Sequence, residues 1–213
     1  MTKVYNGKTN VVTNTQDAPT GTSLKDTSAL MGKITYVGRI GSDTVASIDG
    51  AYEDKNAGTT KKVTYTLTNT NSNYKLLDAS ATDTSAAKAK GDALTYDGTG
   101  IITPKNITVQ LGTVTKTYDG ETDASNKTGY SVSFDSTQKQ SDGTNTDSVA
   151  PTAYSAKYVD SSDGAGDAAD AGIGTKKVRY QFMKANDTAN NYTITGATAD
   201  GKNYDVTLAS SSL

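Results

Sequence analysis

A seven-residue pattern, K-x-Y-[ND]-G-x-T, occurs twice: as Lys3-Val4-Tyr5-Asn6-Gly7-Lys8-Thr9 and as Lys116-Thr117-Tyr118-Asp119-Gly120-Glu121-Thr122. Three further pairs follow in the same order. They are Lys61-Lys62-Val63-Thr64-Tyr65 with Lys176-Lys177-Val178-Arg179-Tyr180, Asn73-Tyr74 with Asn191-Tyr192, and Lys105–Leu111 with Lys202–Leu208. Ordered recurrence is the signature of a duplicated structural unit, and it sets the architecture before any residue-level reading. The copies differ in two spacers, Leu76 to Thr103 in the first and Asp160 to Gly174 in the second. Length variation of this kind belongs in surface loops. The expected domains are residues 1–112 and 113–213, joined near Gly112–Val114 by a short linker.

The repeated segments read as strands. Val63, Tyr65 and Leu67 alternate with threonines, and Val178, Tyr180 and Phe182 repeat the alternation, as do Ile107, Val109 and Leu111. Shorter examples are Ile34 with Tyr36, Val132 with Phe134, and Val206 with Leu208. Asn6-Gly7, Asp97-Gly98, Asp119-Gly120 and Asp142-Gly143 read as turns, because Asn, Asp and Gly tolerate positive φ. Only Asp83 to Leu94 has a helical look, for one or two turns. With 34% hydrophobic residues but 13 tyrosines and only 3 prolines, thin β-modules are favoured over a disordered tail. The fold expected is all-β: two tandem elongated sandwiches of Ig-like character, mainly antiparallel. A β-grasp arrangement using the Asp83–Leu94 helix is the alternative.

The matched elements resemble the YDG-type repeat of bacterial haemagglutinin-like adhesins and surface proteins. The first copy carries Asp43-Thr44-Val45, Ala51 to Gly58 (AYEDKNAG), Asn73-Tyr74-Lys75-Leu76 and Ile102-Thr103-Pro104-Lys105-Asn106-Ile107-Thr108-Val109 in the family's order. The second keeps Tyr118-Asp119-Gly120 and Asp147-Ser148-Val149, expands Tyr158 to Gly174, and lacks Thr-Pro in its closing strand. Tyr96-Asp97-Gly98 looks like a third start but lies too close to Tyr118 to open another unit, and is expected to be a turn. The resemblance implies a non-enzymatic, multi-repeat protein, secreted or on the bacterial cell surface.

Several chemistries are disfavoured by residue type. Without His or Cys, the commonest general base and the thiol nucleophile are missing, and Glu53 and Glu121 are the only glutamates. No cofactor is expected. The net charge is −2, and Arg39 and Arg179 are the only arginines, so no basic patch suited to nucleic acid is visible. No apolar run reaches the roughly 20 residues that span a bilayer, and Met1 leads into a polar segment rather than an export signal. The expectation is therefore a portion of a longer exported chain, with no membrane insertion. Asp160, Asp163, Asp167 and Asp170 offer oxygen ligands, but their spacing fits no EF-hand loop; a solvated loop is the simpler reading and no metal is expected. A Lys–Asn isopeptide bond is not expected either.

The motif residues Tyr5, Asn6, Gly7, Tyr118, Asp119, Gly120, Asn73, Tyr74, Asn191 and Tyr192 are expected to be structural: Tyr packs in a thin core and Asx-Gly makes a tight turn. The leading functional expectation is a stalk that displays an adhesive region, its partners being neighbouring repeats. The runner-up is that the repeats bind host glycans or glycoproteins through exposed Tyr and the expanded loops.

Overall fold

The computed structural model describes residues 2–11, 39–78, 80–81, 84–159, 175–200 and 203–212. The chain is all-β, with two isolated turns of 3₁₀ helix as the only helical elements among these residues. It forms two compact units, Met1–Pro104 with Ser141–Asn145 and Lys105–Gln140 with Thr146–Leu213.

The first unit contains β1 (Thr2–Val4), β2 (Ala46–Tyr52), β3 (Gly58–Asn69) and β4 (Ala93–Thr103). They form one sheet in the order β1-β4-β3-β2, antiparallel except for the parallel pair β1–β4. The threonine alternation of β3 puts Val63 and Leu67 into the core, beside Ile48 and Tyr52 of β2 and Ile102 of β4. Tyr65 lies between Gly50 and Tyr96 in register, and Gly98 is close to its ring. A Cβ on Gly98 would sit 3.0 Å from Tyr65 Cε2, so this glycine makes room for an aromatic ring within the sheet. Tyr96-Asp97-Gly98 is thus mid-strand, where the sequence suggested a turn. The expected helix is likewise reduced to one 3₁₀ turn at Thr84–Ala86, and Leu94 belongs to β4. The β-grasp alternative built on that helix loses its helix.

The second unit contains β5 (Lys105–Leu111), β6 (Val132–Phe134), β7 (Ala150–Val159), β8 (Thr175–Ala185), β9 (Tyr192–Thr195), β10 (Thr198–Asp200) and β11 (Asn203–Ser212). One sheet runs β10-β11-β8-β7 and a second β6-β5-β9, in which β5 and β9 are parallel. Val178, Tyr180 and Phe182 of β8 are buried, as are Ile107, Phe134, Tyr158 and Ile194.

The meander β2-β3-β4 corresponds to β7-β8-β11. Val63 faces Gly98 as Val178 faces Leu208, and Tyr65 faces Tyr96 as Tyr180 faces Val206. This corrects the fourth sequence match: Asn203–Ser212 stands where Ala93–Thr103 stands, not where Lys105–Leu111 does. The division between units correspondingly falls after Pro104 rather than at Gly112–Val114. Proline cannot donate to a ladder, so one strand ends at Thr103 and the next starts at Lys105, whose N–H donates to the Asn191 carbonyl at 2.8 Å. Ile34, Tyr36 and the acidic segment Asp160–Asp170 lie outside the described residues.

Candidate functional site

In each unit the K-x-Y-[ND]-G-x-T segment is a loop wound around its own lysine. Lys3 Nζ donates to Asn6 Oδ1 at 3.0 Å, to the Asn10 carbonyl at 3.1 Å and to the Lys8 carbonyl. Lys116 Nζ donates to Asp119 Oδ1 at 2.6 Å and to the Glu121 carbonyl. The Asx side chain also accepts a backbone N–H two residues on, from Lys8 at 3.1 Å in one copy and from Glu121 at 3.0 Å in the other. The following glycine takes the left-handed conformation that L side chains resist, with φ of 74° at Gly7 and 79° at Gly120. Each ammonium lies over a tyrosine ring, Lys3 over Tyr52 at 5.1 Å and Lys116 over Tyr158 at 5.5 Å. Tyr52 is the last residue of β2 and Tyr158 the last but one of β7, and their N–H groups donate to the carbonyls of the motif threonines, Tyr52 to Thr9 and Tyr158 to Thr122, both at 2.8 Å.

The electrostatics of the two loops differ. Lys3 is 1% exposed, and burial pulls its ammonium down to about 8. Lys116 faces a carboxylate, and the Lys116 hydrogen bond followed by the Glu121 N–H holds Asp119 far below its ordinary range. The motif tyrosines diverge as well: Tyr5 is fully buried, whereas Tyr118 is 58% exposed.

The Asn-Tyr pairs form a second recurring device. Tyr74 donates its hydroxyl to Asp43 Oδ2 at 2.7 Å and receives the Ile40 N–H at 3.2 Å. Tyr192 donates to Asp147 Oδ2 at 2.7 Å and receives the Gln140 N–H at 2.6 Å. The acceptors are the aspartates of the two D-x-V segments, so motifs about thirty to forty-five residues apart clasp one another. Backbone N–H groups of Asn73 and Asn191 bond Asn71 Oδ1 and Asp187 Oδ1.

Sequence reading missed the residues that brace this clasp. Asn69 Nδ2 donates to the Tyr74 carbonyl at 2.7 Å, and Lys184 Nζ does the same to the Tyr192 carbonyl, also at 2.7 Å. Asn71 and Asn186 donate to the carbonyls of Thr44 and Ser148, both at 3.2 Å. Their signal was a common offset from the paired lysines, masked because Asn and Lys perform one role.

The expected site residues are not gathered into one place. The lysine loop meets the end of β2 or β7 at Tyr52 or Tyr158, while the clasp lies before the start of the same strand, at Asp43 or Asp147. Each is self-contained, its polar groups bonded largely to backbone. Among the described residues no cluster of three or more acidic side chains is placed to hold a metal ion, and no helix is long and apolar enough to cross a membrane. No protein-family model, curated protein or solved structure matches the chain, so the resemblance to YDG-type repeats rests on the motif residues quoted for it.

Proposed function

We propose that the two units are non-enzymatic repeats of a bacterial surface adhesin, acting as a spacer that holds an adhesive region away from the cell. The observation that carries this reading is the repetition of the lysine loop and the Tyr–Asp clasp with their polar groups bonded to one another within each unit. What is duplicated is a way of pinning loops to a thin sheet, which suits a chain selected for repeated folding units. The YDG resemblance agrees with an extracellular location and with neighbouring repeats as partners. Absence of His and Cys from the whole sequence supports the non-enzymatic reading. For the second unit a sandwich-like build is supported by Phe134 of β6 meeting Phe182 of β8 edge-on, ring centroids 5.9 Å apart, which joins its two sheets.

Small-angle scattering of the full chain tests the spacer. A radius of gyration well above the roughly 17 Å of one compact globule of this length is expected; a value near that figure would remove the extended-spacer reading.

A further inference from the structure

Strand β7 of the second unit departs from its counterpart β2 in the first. Strand β7 carries a bulge between Thr152 and Ser155, with Ala153 at φ 46°, a left-handed conformation unfavourable for alanine. Strand β2 pairs in unbroken register, and the residue at the corresponding distance before its terminal tyrosine, Ile48, is buried. The bulge instead turns Tyr154 outward, where it is 43% exposed. Protecting an edge strand explains a bulge but requires no aromatic residue at its crest.

Tyr154 is the outermost of three rings. Tyr180 is buried in β8, Tyr130 stacks on it with centroids 6.0 Å apart and planes within 8°, and Tyr154 meets Tyr130 at 5.5 Å and 45°. The Tyr130 hydroxyl donates to the Tyr154 carbonyl at 2.9 Å, fixing the inner ring to the bulge. Asp123 stands beside this ledge, and Ser125 braces it from within: its hydroxyl accepts the Ala156 N–H at 3.0 Å and donates to the Ala156 carbonyl at 3.3 Å. The Ser125 N–H donates to Asp123 Oδ1 at 2.9 Å and, with Lys127 and Lys116 adding to it, holds that carboxyl below its ordinary range.

We propose that the Tyr130–Tyr154 ledge, with Asp123, is a binding site for a neutral pyranose. A sugar ring presents a C–H face suited to an exposed aromatic ring, while its hydroxyls match a fixed carboxylate. The Asp123 and Asp119 carboxylates are offset by Lys116 and Lys127, so the ledge has no charge excess that would favour an acidic or a basic sugar. The site goes beyond the spacer reading and stands or falls independently of it.

Saturation-transfer NMR on the full chain, with lactose, cellobiose and N,N′-diacetylchitobiose as probes, tests the site. Transfer to ring C–H protons of at least one probe is expected. Affinity should fall about five- to tenfold in Tyr154→Ala, as expected for loss of one aromatic contact, and be retained in Tyr154→Phe. Tyr96→Ala, altering an exposed tyrosine of the first unit, should leave it unchanged. No transfer from any probe at millimolar concentration, or equal signals from the parent and Tyr154→Ala, would overturn the site.

Discussion

Lys3 holds Asn6 at 3.0 Å, Nζ to Oδ1, at the position where the second unit holds Asp119 2.6 Å from Lys116. The same loop is thus closed by a neutral amide in one copy and by an ion pair in the other. Asn6→Asp should supply the first loop with the charge complement of its buried ammonium and stabilise the chain by about 1 kcal/mol. Thermal melting decides it; an unchanged or lower midpoint would show that desolvating the new carboxylate offsets the pairing.

The pH dependence of the two loops should have the same sign but fall in different windows. Lys3 has a folded value of about 8, below its ordinary 10.5. The unfolded chain then binds more protons between these values, so the Lys3 contribution raises stability as pH climbs through that window. Asp119 is lowered by Lys116 and the Glu121 N–H, so its contribution is present above the ordinary carboxylate value and lost as pH falls through the folded one. Denaturant unfolding between about pH 8 and about pH 10 should show a positive slope in the parent relative to Lys3→Met. Identical slopes would mean that Lys3 is not the group responsible.

Tyr192 is nearly inaccessible, so deleting its hydroxyl leaves Asp147 without one donor and the Gln140 N–H without an acceptor. Tyr192→Phe should lose about 1–3 kcal/mol. Tyr74 makes the same bonds in a solvent-facing setting, and Tyr74→Phe should lose less. Equal losses measured by chemical denaturation would contradict the difference in burial.

Two glycines separate steric from conformational need. A Cβ on Gly112 would lie 1.9 Å from the Gly129 carbonyl oxygen, a backbone atom unable to yield. Gly112→Ala should therefore cost at least about 2 kcal/mol. Gly120 has open space around it but φ of 79°, so Gly120→Ala should cost only about 1 kcal/mol. A reversed ranking in parallel melts would refute this account.

Sequence alone determined that the chain is β-rich and internally duplicated. The alternation at Val63, Tyr65 and Leu67, and at Val178, Tyr180 and Phe182, follows from the two-residue period of a half-buried strand, and no distant partner is needed to see it. The Asx-Gly turns at Asn6-Gly7 and Asp119-Gly120 were equally legible, because their φ requirement is local. Tertiary structure decided the remainder. Whether Lys105–Leu111 closes one unit or opens the next depends on a parallel partner more than eighty residues away, Tyr192–Thr195, and local pattern does not encode such pairing. Tyr96-Asp97-Gly98 has the composition of a turn but lies mid-strand because the Tyr65 ring occupies the space beside its glycine. Tyr5 and Tyr118 share a motif yet differ wholly in burial, since exposure depends on what the rest of the fold places over each ring.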